Sequence, residues 1–251
     1  MGRGFLLLML TGLLALAAPA CAQAPASRFE GWAAVVIAAD WRDGRGQPIE
    51  AFDNARRDVT AGLLAAGLPR DSTIDLTLNP ASPRASTAAE VLRAVADVTG
   101  RAQRGCLLYF TSHGSPEGMV FGEDGVVTPA AMAQMVRQWC GARPTVVVVS
   151  ACYSGIFVKA LEGPNRMILT AASRDRSSFG CGAGETWPWF DGCVIESLPE
   201  AADFLSLAAG ARACVTRKEQ EAGVAPASEP QLFVGAEMQL RLPTLRFQRP
   251  S

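Results

Sequence analysis

The chain holds one histidine, two tyrosines and only 19% charged residues. A single imidazole excludes His-rich metal centres and Cys2His2 fingers, and it makes His113 the one residue through which histidine chemistry can run. An excess of either charge is missing as well. Lys and Arg number 23 against 24 Asp and Glu, so the net charge of −1 provides no basic field for nucleic acid. No Cys-x-x-Cys pair occurs, which weighs against a dithiol redox protein. Beyond the amino-terminal segment no stretch is apolar enough to cross a bilayer, and no internal repeat is visible. Seven cysteines in 251 residues are too sparse for a small disulfide scaffold. Apolar residues, at 49%, are plentiful; with this length they indicate one α/β domain and rule out a disordered, collagenous or coiled-coil chain.

The first residues read as an address. Arg3 precedes an almost unbroken apolar run from Phe5 to Ala18, followed by the small-x-small patterns Ala18-Pro19-Ala20 and Ala20-Cys21-Ala22. This is the layout of a secretory signal peptide over residues 1–22, with an uncleaved anchor or a lipid on Cys21 as alternatives. Residues 23–30, rich in Ala, Gln, Pro and Ser, form a linker, and 31–251 the domain. The expected product is exported, to a periplasm or beyond, where disulfides can persist.

Apolar runs place the strands. Trp32–Ala39, Cys106–Thr111 and Val146–Ser150 are continuous and β-prone, as strands buried on both faces are. Ile74–Leu78 and Met167–Ala172 add two more, and Gln231–Val234 a short last one. Helical spacing covers Ala51–Ala66, with Gly67 past its end; Ala88–Val98, closed by Gly100; a segment from Pro129 through Val136; and Ala201–Cys214. Met119–Val127 resembles a hairpin. Alternating strands and helices imply right-handed crossovers and a mostly parallel sheet between helical layers.

Two of these strands end in chemistry. One runs into Thr111-Ser112-His113-Gly114 and another into Ser150-Ala151-Cys152-Tyr153-Ser154-Gly155. Ligand sites in open parallel sheets lie outside the carboxyl ends of the strands. If these two strands are neighbours, His113 and Cys152 converge as base and nucleophile. A thiolate attacking a carbonyl carbon develops an oxyanion, for which the Gly114 and Cys152 N–H groups are candidate donors. Each residue alone reads as a turn histidine or a packed thiol; the pairing on two strong strand ends raises the catalytic reading above that.

TSHG at 111–114, VVVVSACYSG at 146–155, LTAASRDRSSFGC at 169–181 and TWPWFDGCVIESLP at 186–199 together resemble the legumain family of cysteine peptidases, within the caspase-like group. The resemblance runs from about Trp32 to Cys214 and implies a caspase-like three-layer α/β sandwich and peptide-bond cleavage through a thioester acyl-enzyme, without metal or organic cofactor. Transpeptidation on the same site and a non-catalytic scaffold are the alternatives. His113 matches the family's catalytic histidine, Cys152 its nucleophile and Gly114 its oxyanion glycine. Ser177 aligns with a serine of the primary specificity pocket, and Glu185 lies near an acidic pocket position. The family's asparagine-reading Arg-His pair falls on Glu50-Ala51, so asparagine preference is not expected, and a basic or small side chain takes its place. Asp40 or Arg42 can contribute there, and Ser150 stands where the family carries an acid.

Other residues have plainer readings. Asp40 reads as a loop cap as readily as a substrate contact. Trp187 and Trp189 can stack on a ligand, but such rings more often fill a core. Arg56-Arg57 and Arg174-Asp175-Arg176 read as solvated surface. Among Cys106, Cys140, Cys181, Cys193 and Cys214, the pairs Cys181–Cys193 and Cys106–Cys140 are candidate disulfides, or else buried thiols; Cys152 must stay unpaired to act.

Overall fold

The computed structural model describes Met1, residues 28–123 and residues 125–248. The expected signal peptide, most of the linker and Cys21 lie outside these residues. In chain order the elements are β1 (Trp32–Ala38), α1 (Ala51–Ala65), β2 (Thr73–Thr77), α2 (Ala88–Arg101), β3 (Gly105–Thr111), β4 (Gly114–Ser115), β5 (Gly118–Val120), β6 (Val126–Val127), α3 (Pro129–Cys140), β7 (Thr145–Ser150), α4 (Ile156–Leu161), β8 (Arg166–Thr170), α5 (Trp189–Ser197), α6 (Phe204–Ala222), β9 (Gln231–Val234) and α7 (Ala236–Arg241). Among the described residues no helix is long and apolar enough to cross a membrane.

Six strands form one sheet in the order β2-β1-β3-β7-β8-β9; only β9 runs antiparallel. Successive side chains of a strand point to opposite faces. Ala33, Val35 and Ile37 of β1 therefore join one core with Leu108, Phe110, Val147 and Val149, beneath α2, α3 and α4. Trp32, Ala34 and Val36 join the other with Tyr109, Val146 and Val148, beneath α1, α5 and α6. Helices on both faces explain why these strands read as unbroken apolar runs. Ile37 is fully buried, and truncating it to Ala would cost about 2–5 kcal/mol. The result is the expected three-layer α/β sandwich.

Two helices run past their expected ends. Gly100 lies inside α2, which continues to Arg101 after starting on a Thr87–Glu90 capping box. Likewise α6 extends beyond Cys214 to Ala222 and stops at Gly223, whose φ is 64°. Arg56 is not solvated surface. It is buried, with Nε 3.0 Å from Asp53 and a second bond to Asp75, and so ties α1 to β2. Arg174 and Asp175 are exposed as expected, while Arg176 is half-buried, pairs with Asp175 at 2.7 Å and accepts from the Tyr153 N–H through its main-chain carbonyl.

The cysteines pair differently from one expectation. Cys106 and Cys140 form a disulfide, as expected for residues at the start of β3 and the end of α3. Cys193 does not reach Cys181. It faces α6 from within α5 and is bridged to Cys214, with the Cα atoms 5.6 Å apart. Cys152 and Cys181 remain free.

Candidate active site

Strands β3 and β7 are neighbours, with Thr111 level with Ser150. His113 and Cys152 each lie two residues beyond that pair and so emerge on the same rim. The chain order reverses about β1: β2 lies on one side and β3 on the other. That makes the β1/β3 boundary a topological switch point, where loops leave in opposite directions and open a crevice. His113 stands at this boundary.

The imidazole is held by main chain and by an aromatic ring. Nε2 lies 2.7 Å from the Arg42 carbonyl oxygen, in the loop after β1. A carbonyl can only accept, so Nε2 carries a hydrogen, and in the neutral ring it is Nδ1 that keeps the lone pair. Phe52, in the first turn of α1, meets the ring edge-on at 5.1 Å. The small sheet β4-β5-β6 pins the backbone, with Val120 N–H donating to the His113 carbonyl at 2.9 Å and Ser112 Oγ to the Val120 carbonyl at 2.8 Å.

Gly114 fits only as glycine. A Cβ there would lie 2.1 Å from the Cys152 carbonyl oxygen, so the two strand ends touch backbone to backbone. Gly155 is bound by the same demand, since its Cβ would meet Arg174 N at 2.5 Å. Between them Tyr153 adopts φ 57°, an uncommon conformation for a bulky side chain, and it turns the chain sharply from β7 into α4. Ser154 is fully buried and its Oγ accepts from Ala172 N–H at 3.1 Å. The Ala-Cys-Tyr-Ser-Gly run is thus a tight elbow that presents Cys152 at the rim. The Cys152 N–H donates to no acceptor among the described residues.

The Cys152 sulfur lies 3.3 Å from the Ser178 carbonyl oxygen, to which its thiol can donate, and is otherwise set among donors. The Cys181 thiol donates to it, Ser178 N–H lies 3.3 Å away and Ser178 Oγ 3.7 Å, and the His113 charge acts on it too. The Cys181 bond is the largest of these influences. Together they outweigh burial and bring the thiol down to about 6 from an ordinary value near 9. Cys181, as the donor and half-buried, is pushed up.

Beneath the rim lies a carboxylate that the sequence reading passed over. Asp191, in the first turn of α5, is fully buried. It accepts from Tyr109 Oη, from Thr111 Oγ1 at 2.6 Å and from Ser150. Burial raises it to about 6, and these donors offset part of that cost. Ser150 is therefore turned to this network under the floor, not to the cleft. Its one signal in sequence is an acid amid the aromatic run Trp187–Phe190.

The remaining candidates spread around the rim. Asp40 is consumed by its own loop: Oδ1 accepts from Trp41 N–H and Arg42 Nε, each at 2.8 Å. Ser177 sits in the loop after β8, but it is the adjacent Ser178 that touches the sulfur. Glu50 and Glu185 both line an open cavity of about 390 Å³, together with Ile49, Asn54 and Thr186. Trp187 Nε1 donates to Asp58 at 2.8 Å and Trp189 packs on Phe179, so both rings brace this loop.

Comparison with known proteins bears on this arrangement. The model of the Peptidase C13 family matches residues 94–196, a stretch holding both His113 and Cys152. It is legumain-like in sequence and caspase-like in fold. Caspase-1 from Spodoptera frugiperda superposes with a TM-score of 0.59 over 88% of this chain and 94% of that one, at 13% identity, a likeness of fold alone. No curated protein matches the chain. The sequence match makes this stretch, less than half of the chain, similar to a family of peptidases.

Proposed function

We propose that this protein is an exported endopeptidase in which Cys152 attacks the scissile carbonyl and His113 manages the proton. The carrying observation is the common rim position of the two residues, combined with an environment that favours the Cys152 thiolate near neutral pH. The Arg42 carbonyl supplies what a third side chain supplies elsewhere, since it fixes the tautomer and leaves Nδ1 to accept and return the proton. As the thioester forms, the carbonyl oxygen becomes an oxyanion, with the Cys152 N–H free to donate and Gly114 close against it. Nδ1-H then protonates the leaving amine, and water releases the acid. Glu50 and Glu185 replace positive charge at the pocket mouth with negative, which favours a cationic side chain beside the cleaved bond over asparagine.

The test is labelling of the folded chain by an electrophilic peptide probe, with parallel cleavage of a peptide library. Modification confined to Cys152, half-maximal near pH about 6 and lost in His113→Ala, is the expected result. A folded, reduced sample that neither labels nor cleaves favours a scaffold on this fold. A strong asparagine preference would overturn the pocket assignment.

A further inference from the structure

The described residues contain two kinds of cysteine. Four are joined in pairs that link regular elements, β3 to α3 and α5 to α6. The other two, Cys152 and Cys181, are unjoined and half-exposed, and Cys181 follows three residues after Ser178, whose main chain touches the Cys152 sulfur. Their settings are complementary. Cys152 stands on a tight elbow whose glycines and buried Ser154 fix its position. Cys181 stands in the irregular segment between β8 and α5, between Gly180 with φ 84° and Gly182, where a Cβ would meet open space. Ser178 N–H and carbonyl, each 3.3 Å from the Cys152 sulfur, hold that segment against the elbow. One partner is rigid and the other can give, which is what closing a bond between two thiols needs.

We propose that Cys152 and Cys181 form a reversible disulfide that switches the active site off under oxidation by peroxide and protects its sulfur. The Cys152 thiolate attacks one peroxide oxygen, the O–O bond breaks, and hydroxide leaves; the sulfur is now a sulfenic acid. The Cys181 sulfur displaces its oxygen, giving the S–S bond and water, with the thiol proton carried away in that water. Two electrons pass from the sulfur pair to the peroxide. A dithiol reductant reverses the bond by two exchanges, entering at either sulfur. Cys152 supplies the thiolate character that selects it for oxidation; once its sulfur is a neutral sulfenic acid, the bond and charge that hold the Cys181 proton lapse, and the Cys181 thiolate resolves it. Without that neighbour a sulfenic acid proceeds to the sulfinic and sulfonic states, which no thiol restores. Loss of activity on bridging rests on the peptidase reading; formation of the bond does not.

The test uses the full chain treated with hydrogen peroxide and mapped by mass spectrometry without reduction. A peptide linking Cys152 to Cys181 is expected, with alkylation of Cys152 falling about tenfold and returning under a mild dithiol. Cys181→Ser and Cys181→Ala, carried in parallel in case one misfolds, are expected to lose Cys152 alkylation without recovery and to show sulfinic or sulfonic Cys152. Wild-type Cys152 found over-oxidised with no linked peptide overturns the proposal, as does equal recovery in the variants. A chain that links these sulfurs yet cleaves no peptide leaves the switch standing and removes the peptidase reading.

Discussion

At the amino-terminal edge of the sheet Cys106 and Cys140 are covalently joined, and the Arg143 guanidinium donates to the Thr99, Ala102, Trp139 and Cys140 carbonyls. At the carboxyl edge Cys152 and Cys181 are unjoined, and the Cys152 sulfur is held by hydrogen bonds to the Ser178 main chain. The contrast follows from what each edge must satisfy. Helices α2 and α3 end near the first, leaving orphan carbonyls and a negative dipole end, and a fixed cation answers both. On the proposed function the second edge has to keep one sulfur ionised and reachable, which hydrogen bonds allow and covalent closure does not. Stability is concentrated at one end of the strands and reactivity at the other.

The sharpest way to break this comparison is to remove the base. His113→Ala is expected to lower peptide cleavage about 10²–10⁴-fold. Unfolding midpoints in denaturant should barely move, because the ring is half-buried and its one polar bond is to a carbonyl that water can satisfy. A large loss of stability with little loss of rate would make His113 a structural residue. Next in size is Gly114→Ala. Its Cβ would fall 2.1 Å from the Cys152 carbonyl oxygen, so one strand end must retreat, and a shift of that order costs about 10²-fold in rate. Unchanged probe labelling in this variant would show that the contact does not set the position of the nucleophile.

How much of this the sequence carried depends on the kind of atom. Strands β1, β3 and β7 were legible because burial on both faces writes itself as a run of apolar residues. His113 and Cys152 were legible because they follow such runs. The Arg42 carbonyl was not, since every residue has one and only the fold aims it. Asp191 was hidden in an aromatic stretch that gives no helical period, and α5 was missed with it. Nearness in sequence points Cys193 to Cys181, whereas the face of α5 that carries Cys193 turns it to Cys214 on α6. Short α4 and α7, of six residues each, offered too few turns for a pattern.

Opening the covalent edge should do the reverse of removing the base. The Cys106–Cys140 bond closes a loop with a sequence separation of 34, and its removal by paired Cys→Ala changes is expected to cost about 2–4 kcal/mol. Denaturant unfolding measures this, while the alkylation rate of Cys152 in the still-folded protein should stay unchanged. A parallel fall in both would mean that the two edges are not independent.

The effect smallest per step of the variable concerns Asp191, buried beneath the rim. Its carboxyl is raised to about 6 in the folded protein and titrates near 3.8 when exposed. Between those values the folded chain holds a proton that the unfolded chain has released, so folding is favoured by acid. The contribution is fully present below about 4 and is lost as pH rises through about 6. The slope within that window approaches about 1.4 kcal/mol per pH unit. Asp191→Asn binds no proton in either state, so urea unfolding midpoints measured from pH about 4 to 7 should lose this component of the slope whatever the variant's baseline stability. Because Asp191 also acts through charge on Cys181, the variant should leave the Cys181 thiol easier to ionise. An unaltered slope would mean that the Tyr109, Thr111 and Ser150 donors already hold the carboxylate ionised, and that the floor under the thiols carries a full charge throughout.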